Sequence, residues 1–449
     1  MFKIRLRSIA RRIEMDRIVS YAILARVWGV AAGPITALLI VAKFSPTIQG
    51  FYYTFMSVLA LQVFAELGIG FAISQFAIHE WAHLRIDENR KISGDPDSLS
   101  RLASLAQIAV KWYSIAAIVL IVGLSVGGYI FFSKSPSQNV NWKLPWFSLC
   151  ILSGFSLFSS AIWYFLEGCN QVKNVYYYRL FQGLLGSLAI WTAILFGAEL
   201  WAVSIMTLIG LIYVGIFLRI HYWDFFKSLL LKKKEGSRLS WLKDIFPFQW
   251  RIALSWISGY FAFSLFTPML FYYHGPVIAG QMGMTWSIAS ALSAIGGAWL
   301  GPRIPQFGIF VAEKRYVEMD KLFWRLIIII TGITALGGVA IYLLVFALNY
   351  YDYSLAHRLL PPFPTALFLL GAIIHAASNP MLYYLRAHKK EPLLFVSVLL
   401  GCLIGLSTWV LGKHYSALGI AVGYLTIYVM IFPLIVAVWL RCKKAWHIV

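Results

Sequence analysis

Apolar stretches long enough to cross a bilayer recur twelve times along these 449 residues. A helix needs about 20 mostly apolar residues to span the hydrocarbon core. Such stretches lie near 18–42, 51–79, 104–132, 146–168, 176–197 and 200–218. A second set lies near 250–272, 277–300, 325–348, 363–385, 393–412 and 416–440. The chain is 60% hydrophobic and only 12% charged, whereas soluble domains carry roughly 25% charged residues. No single globular core buries that much apolar surface. The pattern predicts an all-α polytopic membrane protein with twelve transmembrane helices.

The chain holds 38 Lys+Arg against 18 Asp+Glu, a net charge of +20. Such an excess fits a nucleic-acid partner until the positions are read. In the twelve-span layout, 31 of the 38 basic residues fall at the two termini, in the loops of one side or at the span ends that meet those loops. The opposite loops hold Lys43, Lys134, Lys143, Arg358 and Lys413, and Arg26 and Lys111 lie inside spans. Cytoplasmic loops collect Lys and Arg, so both termini are placed in the cytoplasm. The excess charge then faces anionic membrane lipids, with no nucleic-acid partner. The basic residues up to Arg17 mimic a signal peptide's charged region, but the apolar run after them is too long and lacks a small-residue cleavage site. That run is expected to stay as the first helix. Cys150, Cys169, Cys402 and Cys442 form no CxxC pair and lie beside no His cluster, so neither a metal nor another cofactor is expected.

The longest polar interruption, 219–249, divides the chain into a lobe of six helices at 1–218, a cytoplasmic linker and a second six-helix lobe at 250–449. The halves share weak self-similarity. Ser74-Gln75-Phe76 matches Pro305-Gln306-Phe307, Gly50 begins one span as Gly280 begins another, and Pro34 interrupts the first helix as Pro268 interrupts the seventh. Six helices per half make the repeats parallel, an arrangement found in secondary transporters. There the path runs between the halves, and interrupted helices in matching positions point to it. Pro34 and Pro268 are therefore candidate hinges. The outer loops are short and carry only Glu199 and Asp352 as acids, which argues against a polymerase or ligase of surface polysaccharide and against an enzyme generally.

Ionisable groups inside a span cost several kcal/mol unless paired or wetted, so each is a candidate. Arg26 in the first helix and Glu66 in the second fall at similar depth, where an ion pair is one reading and a transport site another. Lys111 lies at similar depth in the third helix, or snorkels to the interface. Gln62 precedes Glu66 by one helical turn. Glu167 and Arg251 lie near the cytoplasmic boundary, and Gln249, Gln281, His375 and Asn379 are the notable polar residues of the second half. Nothing matches a P-loop or a nucleotide-binding domain, so transport would draw on an ion gradient, substrate flux or a partner.

The stretch from Gly50 to Glu80, GFYYTFMSVLALQVFAELGIGFAISQFAIHE, resembles the second helix of bacterial polysaccharide-biosynthesis membrane proteins. These are the oligosaccharide-lipid flippases of the multidrug/oligosaccharidyl-lipid/polysaccharide exporter superfamily. Glu167-GCNQV, Pro247-FQWRIALSW and Ala279-GQMGMT are similar to stretches of the same group. The resemblance implies a two-lobed inner-membrane transporter working by alternating access. Its implied cargo is an undecaprenyl-pyrophosphate-linked oligosaccharide for O-antigen or capsule assembly, with H+ or Na+ as a possible coupling ion. The implied cationic headgroup site would draw on Arg26, Lys111 and Arg251, and Glu66 would be the coupling carboxylate. The nearest alternative in the superfamily is a cation-coupled multidrug exporter.

Overall fold

A computed structural model of the chain describes residues 17–86, 92–134, 140–232, 237–388 and 390–447. The first passage is α1 (Arg17–Lys43); the second comprises α2 (Pro46–Leu59), α3 (Gln62–Glu66) and α4 (Ile69–Trp81). Then come α5 (Pro96–Ser133), α6 (Lys143–Gly168), α7 (Val172–Leu195), α8 (Trp201–His221) and the short α9 (Trp223–Leu230). The rest of the chain forms α10 (Phe246–Phe263), α11 (Phe266–His274), α12 (Pro276–Gly297), α13 (Ile304–Ala312), α14 (Tyr316–Tyr350), α15 (Pro362–Arg386) and α16 (Leu394–Trp446). Helix α16 is interrupted at Ser416, φ 55° and ψ −146°, and so supplies two passages.

The chain is thus an all-α polytopic membrane protein with twelve helical passages, six before the 222–245 connection and six after it. Among the described residues eight helices are long and apolar enough to span, with α2 and α3 taken together as one, and nine if the bent α10–α11 pair also counts as one. Exposed apolar stripes fit a lipid-facing surface. Ile115, Ile118, Val119, Val122 and Val126 along α5 are all more than half exposed.

Local chemistry explains where the helices start and stop. Ser45 accepts from the Ile48 N–H at 3.2 Å and Pro46 follows it, a capped start for α2. Asp95 accepts from the Ser98 N–H at 2.8 Å ahead of α5. Gly275, at φ 86°, turns the chain between α11 and α12, and Pro276 opens the new helix.

Several expected spans are broken. The second, expected as one helix over 51–79, is interrupted twice, most sharply where Leu67 (φ 50°) and Gly68 (φ 67°) both adopt the left-handed conformation. The seventh bends by 44° between α10 and α11. Pro268 lies in the first turn of α11, where its ring and missing N–H remove the bond to the carbonyl four residues earlier. Pro34, by contrast, lies within the continuous helix α1. The eighth passage breaks between α12 and α13 through a 3-10 turn at Gly301–Arg303. An antiparallel hairpin, β1 (Leu84–Ile86) with β2 (Ile92–Gly94), lies in the loop before α5, with Arg85 opposite Ser93. The 219–249 connection carries α9 and a π-helical turn, Trp241–Ile245.

The described residues cluster into two compact units. The first holds the chain up to Thr36, Leu61–Ile130 and Asn141–Ala253. Its helices α6 to α8 meet through aromatic rings, Trp163 stacked on Tyr178 at 3.7 Å and Tyr178 on Tyr213 at 5.0 Å. The second holds Ala37–Ala60, Phe131–Val140 and everything described from Leu254 onward. There α2 packs tightly on α12. A Cβ on Gly50 would overlap the Pro276 carbonyl, and one on Gly280 would lie 2.9 Å from the Gly50 nitrogen. Only glycine permits that approach.

Candidate functional site

A buried polar assembly of the first unit forms where the second passage breaks. Helix α3 ends at Glu66, and the two left-handed residues after it turn the chain before α4 resumes. Leu67 bears steric strain in that region, whereas Gly68 does not. The Ile252 side chain fills the place a Gly68 Cβ would need, 2.6 Å away. The break therefore fixes the position and direction of the Glu66 side chain.

Glu66 is only 7% exposed. The Tyr113 hydroxyl of α5, itself fully buried, donates to Glu66 Oε1 at 2.9 Å. The Tyr164 hydroxyl of α6 is a second hydrogen-bond partner of the carboxyl. Gly70 leaves room for the cluster, since a Cβ there would overlap the Tyr164 ring and crowd the Tyr113 hydroxyl. An ionised carboxylate away from water is costly unless hydrogen-bonded. Here the donors are phenols, and the group is chemically able to hold or give up a proton. The tyrosines carried no sequence signal, because each sits on a different helix and neither is charged.

The other candidates are dispersed. Arg26 lies in α1, but its side chain is outside the described residues. The described partners of Glu66 are thus tyrosines, not an arginine. Gln62 is exposed at the start of α3, and Lys111 is exposed on α5. Gln249 is buried and accepts from Trp241 Nε1 at 2.9 Å. Arg251 is exposed, 5.6 Å over the Trp250 ring. Glu167 pairs with Arg179 at 2.7 Å. In the second unit Gln281 donates to the His357 carbonyl at 3.0 Å. His375 lies 3.1 Å from the Tyr428 hydroxyl, with Asn379 3.5 Å from its other ring nitrogen. Among the described residues no three His, Cys, Asp or Glu are grouped to hold a metal ion.

Solved structures share this architecture over nearly the whole chain. An inward-facing multidrug-resistance MATE family transporter of the MOP superfamily matches with a TM-score of 0.61 at 15% identity, over 95% of this chain and 98% of that one. The MATE multidrug transporter DinF-BH gives 0.59 at 15% identity, over 96% and 97%. The lipid II flippase MurJ, in an inward closed conformation, gives 0.59 at 11% identity, over 96% and 90%. The chain has the fold of MOP-superfamily transporters. No family model and no curated protein matches the sequence. The likeness is therefore one of fold, shared by drug exporters and a lipid flippase alike.

Proposed function

We propose that this protein flips an undecaprenyl-pyrophosphate-linked oligosaccharide across the bacterial inner membrane by alternating access, supplying O-antigen or capsule assembly. The fold supports a transporter, and its likeness to a lipid flippase admits a lipid-linked cargo. One observation weighs against the multidrug alternative: among the described residues few interior acids are left to bind a cationic drug. Glu80 pairs with Arg101 at 2.9 Å and the half-buried Glu167 pairs with Arg179, which leaves Glu66, hydrogen-bonded to Tyr113, as the acid free to exchange a proton.

In this reading 1–218 and 250–449 are the two lobes, joined by a cytoplasmic linker at 219–249, with both termini in the cytoplasm. Arg26, Lys111 and Arg251 meet the pyrophosphate, for which charge-assisted hydrogen bonds suit. Gln62, Gln249 and Gln281 contribute neutral polar contacts, Pro34 and Pro268 act as hinges, and Glu66 takes up the coupling proton. A deletion strain tests the cargo. Lipid-linked glycan stranded in the inner leaflet is the expected result. Normal surface glycan with heightened sensitivity to cationic dyes would instead establish the exporter.

A further inference from the structure

A second polar assembly, in the second unit, joins segments far apart in the chain. Arg358 lies in the turn after α14. Its Nη2 donates to the Phe44 carbonyl at 2.6 Å and the Val41 carbonyl at 3.4 Å. These carbonyls close α1, where the last turn of a helix lacks intrahelical donors. Nη1 donates to Gln49 Oε1 at 3.4 Å. Gln49 answers through Nε2, donating to the Arg358 carbonyl and to the Gly280 carbonyl, both at 3.0 Å. At 1% exposure Gln49 has no water to replace these partners. Beneath it lie Met284, whose sulfur is 3.8 Å from Gln49 Nε2, and the glycine contact of α2 with α12.

Three features of this contact suit it to opening. It joins the ends of α1 and α2, from the first half of the sequence, to α12 and the 351–361 turn of the second. It falls where the internal repeat meets itself, since Gln49 and Gly280 stand 231 residues apart, as do the matching residues Ser74 and Pro305 of the two halves. It also relies on a guanidinium bonded to carbonyls and an amide, with no carboxylate partner among the described residues. Water at the membrane surface can replace such bonds without stranding an opposite buried charge. The basic-residue layout places Arg358 on the outer side.

We propose that Gln49 and Arg358 form a latch that shuts the outer mouth of the transport path, and that Arg358 leaves the end of α1 each time cargo is released outward. This rests on the alternating-access reading above, but not on the identity of the cargo. In a chain with its four native cysteines replaced, Met284→Cys reports on the space under the latch. A membrane-impermeant maleimide is applied to sealed vesicles of each orientation.

Arg358→Gln is expected to raise labelling from the outer face roughly tenfold, as loss of charge-assisted bonds shifts a closed-to-open equilibrium. Arg358→Lys, which keeps the charge but not the fork, falls between. Gln49→Leu, of similar volume, gives the same acceleration and serves if Arg358→Gln does not fold. Unchanged labelling in folded protein carrying either Arg358→Gln or Gln49→Leu overturns the latch. Acceleration confined to the inner face would overturn the placement of the latch at the outer mouth. Cross-linking Gln49→Cys to Arg358→Cys with a cleavable bis-maleimide should hold labelling at the basal rate until cleavage, and rapid labelling of the linked protein would overturn the proposal.

Discussion

Tyr113 and Glu66 are joined by a hydrogen bond of 2.9 Å between two buried side chains on different helices. Removing the hydroxyl leaves a buried acceptor short of a donor, at a cost of about 1–3 kcal/mol. Tyr113→Phe is therefore expected to lower the melting temperature in detergent. Glu66→Gln keeps an acceptor for the same hydroxyl and should melt close to wild type. It removes the titrating group, so transport should fall while folding persists. Wild-type transport and pH profile in Glu66→Gln would exclude Glu66 as the coupling group.

The α2–α12 contact makes a second prediction. A methyl group at Gly50 meets the Pro276 backbone, which has no flexible end to move aside. Overpacking of this kind costs about 1–3 kcal/mol. Gly50→Ala should therefore destabilise the closed arrangement and speed labelling at Met284→Cys. Gly29→Ala, where nothing lies within 4 Å of a Cβ, should have no such effect. Equal behaviour of the two variants would show that the close approach carries no energetic weight.

The contrast between these sites explains what was legible in the sequence. The passages were readable because each needs only a run of apolar residues, a local property. Glu66 was readable because a lone carboxylate in such a run is expensive wherever it sits. Its partners were not, since Tyr113 lies 47 residues away and tyrosines are common throughout. Pro268 announced the bend at α10–α11 through its missing N–H. Leu67 gave no warning of its left-handed backbone, which a residue with a Cβ does not favour and which the surrounding packing imposes. Lys111 was readable by its charge, and it lies exposed on α5. Gln49 and Arg358 carry no local signal, because their pairing depends on a contact across 309 positions.

At the opposite end of the second unit, His388 Nε2 lies 3.2 Å from His447 Nε2. Tyr316 stacks on His447 at 3.9 Å, and Asp320 bonds Tyr384 and pairs with Lys443 nearby. Burial holds both imidazoles below their ordinary pKa, and for His447 the neighbouring His388 adds to the effect. A depressed histidine pKa means that the folded state binds fewer protons than the unfolded chain. The resulting stability is present above the unfolded value near 6.5 and is lost as pH falls through the lowered folded values. Melting temperature should therefore drop between about pH 7 and 5. The double variant His388→Gln with His447→Gln should flatten that slope. An unchanged slope would assign acid sensitivity to other groups.

The break in the second passage can be tested through Gly68 and Ile252. Alanine at Gly68 must adopt φ 67° and bring its Cβ within 2.6 Å of Ile252. The backbone term costs about 1–2 kcal/mol for a non-glycine residue, and the contact adds to it. Ile252→Ala removes only the contact. In a double-mutant cycle the two substitutions should couple favourably by about 0.5–3 kcal/mol, because the second relieves the clash made by the first while leaving the backbone strain. The carboxyl of Glu66 stands two residues from the altered turn, so transport should fall in Gly68→Ala and recover partly in the double variant. Purely additive melting shifts would mean that Ile252 does not buttress the turn, and that the left-handed pair is held by the helix ends alone.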